Sequence, residues 1–365
     1  SAPGTAGHRH HPVGEHALSV RGNVVERGAA RSDVSIACPD DRQAGRTAAE
    51  NTGSLQRTGI GGNMEQKKET LLEIHNLSVS FRMYDQGFEQ KDLQVISDLY
   101  LTVYPGEIVA IAGSSGSGKS LLASAVLGIL PDNATVGGHL HYKGQELTPK
   151  LQKKLRGTEI AFVPQSVAFL DPLMKVGPQT EGYRRPKQAE KRRALFKRLG
   201  LPEQTKRLYP FELSGGMARR VLVSTALMTD AELILADEPT PGMSLEQAVE
   251  ALRMFREMAD EGKAVILITH DIDLAVNFAD RVAVFYAGTT VETAPSSDFK
   301  KGPDALRHPY SRALWRALPQ NGFEPLPGFQ PYAGSLPEGC LFAPRCPHRT
   351  EWGSEVLPWR LRQKI

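Results

Sequence analysis

The sequence predicts an α/β protein with a phosphate-binding (P-loop) core, and three observations carry the prediction. Gly113-Ser114-Ser115-Gly116-Ser117-Gly118-Lys119-Ser120 fits G-x-x-x-x-G-K-[ST] between the apolar run 108–112 and the helix-like run 121–127. Apolar strands end repeatedly in chemistry-bearing side chains, 233–236 in Asp237-Glu238 and 265–269 in His270-Asp271. An open α/β sheet holds its ligands at such strand ends. Finally, Ser214-Gly215-Gly216 opens a further helix-like run, a second place where backbone N–H groups and a helix dipole favour an anion.

The elements follow in chain order. Residues 72–81 alternate apolar and polar as a half-buried strand does, and 93–103 supply a second strand. Pro105-Gly106 turns the chain into the strand before the glycine loop. Residues 157–163 read as a strand ending at Pro164-Gln165, 186–200 as a helix, and 218–228 as the helix behind Ser-Gly-Gly. The strands 233–236 and 265–269 are continuous apolar runs, the mark of burial on both faces.

Each motif has its own chemistry. In the loop, the glycines Gly113, Gly116 and Gly118 let successive backbone N–H groups turn around a phosphate chain, with Ser114, Ser115, Ser117 and the following residues through Leu121 lining the nucleotide site. Lys119 reaches β- and γ-phosphates, and the Ser120 hydroxyl holds Mg²⁺. Asp237 is the expected Mg²⁺ partner, directly or through a bound water. Glu238 orients and deprotonates the attacking water, with His270 placed to contact the γ-phosphate and hold water and Glu238 in line. One loop and one separate anion turn per chain fit a head-to-tail dimer, in which each Ser-Gly-Gly closes the other subunit's nucleotide site.

Composition narrows the class. Across 365 residues, 44 Lys and Arg against 41 Asp and Glu give a net charge of +3, which makes no electrostatic case for nucleic acid. Arg184-Arg185-Pro186-Lys187 and Lys191-Arg192-Arg193 read as a solvated helix face. Three cysteines, Cys38, Cys340 and Cys346, argue against a disulfide framework and fit a reducing compartment. No apolar run is long enough to span a bilayer, so a membrane role is expected to come through a partner. Residues 1–63 lack apolar periodicity and read as a disordered or non-native leader. Gly61-Gly62 can be encoded by a ribosome-binding sequence just before Met64, which makes Met64 the expected start.

Together these motifs resemble the ATP-binding subunits of ABC transporters, from about residue 71 to 295. The resemblance implies an ABC-type P-loop core with an N-terminal antiparallel β subdomain and a helical signature subdomain at about 166–228, the body ending near 295. It implies Phe81 stacked on adenine, 113–120 as Walker A, 213–217 as signature, 233–238 as Walker B and His270 as switch histidine. Gln165 becomes the Q-loop residue, contributing to the Mg²⁺ site and linking it to the permease. Within the superfamily the chain is similar to the oligopeptide, dipeptide and nickel import branch. Tyr209-Pro210-Phe211-Glu212-Leu213-Ser214-Gly215-Gly216-Met217, Tyr286-Ala287-Gly288, His308-Pro309-Tyr310-Ser311-Arg312-Ala313-Leu314 and 339–347 carry that likeness, the last two in a C-terminal extension, 296–365.

The chain departs from the family pattern in places. Gly242-Met243-Ser244 stands where the family has an Ala-Leu-Asp type D-loop, and Arg219 where it has a glutamine. Cys340 and Cys346 remain of the four cysteines some members use for an iron–sulfur cluster, with Gly353 at a third position; two thiolates cannot complete it. Residues 351–365 depart from the family and stop early, as a frameshift or truncation would leave them.

The resemblance implies an ATPase that uses ATP and Mg²⁺ to energise an importer of peptides, nickel or metal chelates, peripheral on the cytoplasmic face of the membrane. Its partners would be two permease subunits, a second ATP-binding subunit and, indirectly, an extracytoplasmic solute-binding protein. Competing readings are a non-transport ABC ATPase, an exporter subunit, and a weakly catalytic regulatory half of an ATPase pair. The first usually joins two cores in one chain, and exporters commonly fuse a membrane domain. Intact Lys119, Asp237, Glu238 and His270 argue against full inactivity.

Overall fold

The computed structural model describes residues 69–84, 88–181 and 188–349. The leader 1–63, Met64, the basic run 184–187 and the departing end 351–365 lie outside them.

Ten strands form one sheet, ordered β5-β4-β1-β2-β10-β9-β3-β8-β7-β6. The first half is antiparallel: β1 (Leu72–Tyr84) pairs with both β2 (Gln90–Val103) and β4 (Ala134–Tyr142), and β4 carries the short β5 (Gln145–Glu146). The other half is parallel: β3 (Ile108–Gly113) lies between β8 (Ala264–Ile268) and β9 (Arg281–Tyr286), followed outward from β8 by β7 (Leu233–Asp237) and β6 (Ile160–Val163). β10 (Thr289–Pro295) pairs antiparallel with β9 and meets β2 at a single parallel pair, Thr289↔Asp98.

The continuous apolar runs are explained by burial on both faces. Ile108, Ala110 and Ala112 of β3 enter one core with Phe255 and Val221, whereas Val109 and Ile111 enter a second core with Leu122, Val126 and the antiparallel strands. β7 and β8 divide in the same way, so every side chain of these strands is withdrawn from water. The second core is covered by α1 (Lys119–Leu127) and α2 (Pro149–Leu155). The first is covered by α5 (Gly215–Leu227), α6 (Leu245–Asp260) and α7 (Ile272–Val276), with α3 (Val176–Glu181) and α4 (Ala189–Arg198) outside α5. After β10 come α8 (Ser296–Lys301) and α9 (Pro309–Arg316), then an irregular segment to residue 349 with short 3-10 turns at Pro319–Asn321 and Ala343–Arg345.

The structure corrects several expectations. The strand expected over 157–163 begins at Ile160, because Gly157 turns at φ +72°. Of the helix expected over 186–200, residues 186–187 lie outside the described residues; the helix seen is Ala189–Arg198, and it stops before Gly200, which adopts φ +63°. The helix after Ser-Gly-Gly starts at Gly215 rather than 218, since the Ser214 hydroxyl caps it by accepting from Met217 N at 3.3 Å. Arg192 is not on a solvated face. It shares a buried stripe with Leu195 and Phe196, at i+3 and i+4, and is paired with Glu181 and Glu203, the latter at 3.0 Å. Its neighbours Lys191 and Arg193 are exposed as expected.

Candidate active site

The glycine loop joins β3 to α1 and lies where the parallel strands end. Gly113 cannot carry a side chain: a Cβ there would stand 2.2 Å from the Phe285 carbonyl of β9. Gly118 has φ +93°, and a Cβ on it would come within 2.9 Å of Ile96 in β2. Such close approach explains glycine at these two positions, and φ +77° explains it at Gly116. The Lys119 ammonium donates to the carbonyls of Gly113 and Ser114, both at 2.9 Å, and so spans the loop. Burial pulls its pKa down, against the pull of Glu238 and Asp237. Ser115, Gly116 and Ser120 are exposed, Ser117 is buried with an unpartnered hydroxyl, and Leu121 packs half-buried against the second core.

Asp237 closes β7, directly paired with Ile268 of β8. It is buried, and one carboxylate oxygen, Oδ1, has no partner while the side chain hydrogen-bonds Ser120. Burial pushes its pKa up, Ser120 and Lys119 pulling the other way. An unpartnered buried carboxylate oxygen beside a serine hydroxyl is a donor set that suits Mg²⁺. Asp237 and Ser120 therefore fit the metal expected of them.

Glu238 follows with φ +48°, a left-handed conformation that a non-glycine residue holds at a cost of order 1–3 kcal/mol. Its N–H donates to Ile268 O at 2.9 Å, and its carboxylate meets His270 Nδ1 at 2.7 Å. The strained backbone turns the carboxylate onto the imidazole at the end of the neighbouring strand. His270 is otherwise exposed, whereas Glu238 is buried. Thus Lys119, Ser120, Asp237, Glu238 and His270, predicted from separate motifs, are brought together by three adjacent strands.

Gln165 lies exposed just past the end of β6, next to β7 in the sheet. Its carbonyl and that of Pro164 accept from the guanidinium of Arg219 on α5, the latter at 2.9 Å. Phe81 is half-buried against the second core, paired with Leu93 of β2. Ser214 and Gly215 are exposed at the start of α5, and Gly216 is packed close to Gly242. Among the described residues no hydrogen bond joins Ser214, Gly215 or Gly216 to 113–120.

Three further residues contact the site with no motif to mark them. Arg219 was visible only as an unusual residue in the signature helix. Tyr310, whose hydroxyl accepts from Ser114 N at 3.2 Å, lies in the segment 308–314 that carries the family likeness. Gln330, which accepts from the Ser114 hydroxyl, carried no signal.

The chain is similar to known proteins in both of its parts. Residues 96–241 match the family model described as ABC transporter, and 291–352 the model described as oligopeptide/dipeptide transporter, C-terminal region. The oligopeptide transport ATP-binding protein OppD of Salmonella typhimurium is 35% identical over 312 residues, 80% of this chain and 91% of that protein. The dipeptide transport ATP-binding protein DppD of Bacillus subtilis is 33% identical over 311 residues, 80% of this chain and 90% of that protein. An ATP-binding cassette solved as a dimer in a post-hydrolysis state with ADP and Pi superposes with a TM-score of 0.53. It is 26% identical and covers 62% of this chain and 98% of its own. On motif, fold and similarity, the chain belongs to the ATP-binding subunits of ABC transporters, in the oligopeptide/dipeptide branch.

Proposed function

We propose that this chain hydrolyses ATP to drive peptide uptake through membrane permease subunits. The observation that carries the proposal is the assembly of the Lys119 loop, Asp237 and the Glu238–His270 pair at the ends of adjacent parallel strands. ATP would lie with its phosphates in 113–120, its adenine on Phe81, and its exposed side closed by Ser214, Gly215 and Gly216 of a second ATP-binding subunit. Ser120, Asp237 and Gln165 would hold Mg²⁺, which when bound offsets negative charge on the phosphates. Glu238 accepts a proton from water as its oxygen bonds the γ-phosphorus, and the bond to the ADP oxygen breaks. His270, held at Nδ1 by Glu238, leaves Nε2 for a γ-phosphate oxygen. Lys119 takes up charge developing on the β- and γ-oxygens.

The body 64–295 would carry this chemistry and 296–365 would form the branch's extension. The chain would work at the cytoplasmic face of the membrane, with a solute-binding protein delivering cargo to the permeases. The names of the similar proteins support peptides as that cargo. Purification of the tagged chain from gently solubilised native membranes tests the reading. Two permeases and a second ATP-binding subunit are the expected companions. Ribosomal or DNA-repair proteins without a permease would overturn the transport role and leave the ATPase.

A further inference from the structure

The segment after α9 folds back across the glycine loop. Arg345 fixes its base, donating to Pro327 O at 2.8 Å and Leu326 O at 3.0 Å, and to the Tyr286 hydroxyl at 3.4 Å. From there Gln330 reaches Ser114, and its amide nitrogen lies 4.0 Å from where a Cβ on Gly116 would stand. Four residues on, a Cβ on Gly334 would be 3.5 Å from Leu93, the strand partner of Phe81. The strap 326–334 thus runs from the phosphate loop towards the residue expected to stack on adenine.

Tyr310 completes the contact from below. Its ring is buried, 4.4 Å from that of Tyr286 and 5.4 Å from that of Phe342, which fixes where the hydroxyl meets Ser114 N. Ser114 is therefore held at three atoms: its N–H by Tyr310, its hydroxyl by Gln330, and its carbonyl by Lys119 and by Ser117 N of the loop itself. If Lys119 turns to the phosphates, the Ser114 carbonyl keeps only the loop's own Ser117 N–H, at 3.3 Å, and the rest of the hold on Ser114 comes from the two residues of the extension. A glycine-rich loop fixed beforehand loses less freedom when the ligand arrives, and the saving appears as affinity.

We propose that the C-terminal extension is a clamp on the nucleotide loop, in which Tyr310 and Gln330 are positioning residues that set ATP affinity through Ser114. This rests on the ATPase reading above. The loop is organised by residues 196 and 216 positions away in the chain rather than by its own sequence alone. The clamp also gives the extension a physical route to the catalytic core: anything that lifts the strap loosens the loop.

The test uses the full chain and displacement of a fluorescent ATP analogue by ATP, ADP and adenosine. Tyr310→Phe deletes one hydroxyl and keeps the ring in its aromatic packing; Gln330→Ala removes the strap's contact on a half-buried loop. Each should weaken ATP and ADP by about 3–10-fold, the effect of one neutral hydrogen bond, and the pair by more. Adenosine, which has no phosphate, should be unaffected, a selectivity that general loosening of the fold would not produce. Gln330→Glu keeps an acceptor for Ser114 but adds a charge beside the loop. It should weaken ATP beyond Gln330→Ala, with the excess reduced by salt. Wild-type ATP affinity in both Tyr310→Phe and Gln330→Ala would overturn the clamp while leaving the ATPase standing. Equal losses for adenosine and ATP would overturn it as well. A wild-type chain that binds no ATP would overturn the ATPase reading on which the clamp rests.

Discussion

At the scale of single residues, the left-handed backbone of Glu238 and its 2.7 Å contact with His270 support its proposed role as proton acceptor. Glu238→Gln should keep ATP affinity and cut turnover by roughly 10²–10⁴, the range for a positioned acid–base group. Steady-state hydrolysis and equilibrium binding check this together; undiminished turnover would remove Glu238 from the role. Lys119→Ala should abolish ATP binding, and micromolar affinity in that variant would contradict the loop assignment. Arg219 is a different case, acting through the Pro164 and Gln165 carbonyls from within α5. Arg219→Met leaves two carbonyls without their charged donor, a loss of order 1–3 kcal/mol for the buried Pro164 carbonyl and less for that of exposed Gln165. Turnover in the assembled complex should fall about tenfold or more while the isolated chain binds ATP as before. The residues proposed for catalysis stand out in the sequence because each is defined by its immediate neighbours: a glycine loop, or a carboxylate at the end of an apolar run. Arg219, Tyr310 and Gln330 could not, because their partners lie 54 to 216 residues away and any polar side chain of adequate length meets the local pattern.

At the scale of elements, legibility followed burial. β3, β7 and β8 are apolar throughout because both their faces are covered, and their sequence announces it. β4 is the opposite case. Gly137-Gly138 interrupts its alternation, and only Leu140 and Tyr142 are buried. The glycines are there because a Cβ on Gly137 would strike the Ser78 hydroxyl at 2.6 Å and one on Gly138 the Asn76 carbonyl at 2.3 Å. That requirement belongs to the pairing with β1 and has no trace in β4 itself. Pairing between elements also depends on Glu107, just ahead of β3. Its carboxylate accepts from Arg281 at the start of β9, at 2.6 and 3.0 Å, and from Tyr104 N at 2.7 Å. Glu107→Ala should destabilise the chain by about 2–3 kcal/mol, the worth of hydrogen bonds to a charged group. The drop would be read as a lower denaturant midpoint with an unchanged slope. An unchanged midpoint would show that the strand starts are held by packing alone.

At the scale of the whole molecule, the Ser214-Gly215-Gly216 turn has no hydrogen bond to the chain's own glycine loop among the described residues, yet it is exposed at a helix N-terminus. α5 packs against α3, α4, α6 and β6, whereas α1 packs against β3, β7 and α2. The two anion-favouring features therefore stand on different bodies of helices, which is the arrangement a head-to-tail sandwich requires. Gly215 offers a clean test of that sandwich. Nothing lies within 4 Å of where its Cβ would be, and its φ is not positive, so a side chain fits the isolated fold. Gly215→Glu should therefore leave the thermal midpoint and the ATP affinity of the isolated chain as they are. In the assembled transporter the new carboxylate would face the partner site's phosphates across the closing interface. Like charges in a water-poor gap repel strongly. Hydrolysis by the complex should fall by about 10² or more, the cost of losing one preorganised donor set at a developing charge. Full hydrolysis in that complex would mean that the turn does not close a nucleotide site, and the exposed signature would need another partner.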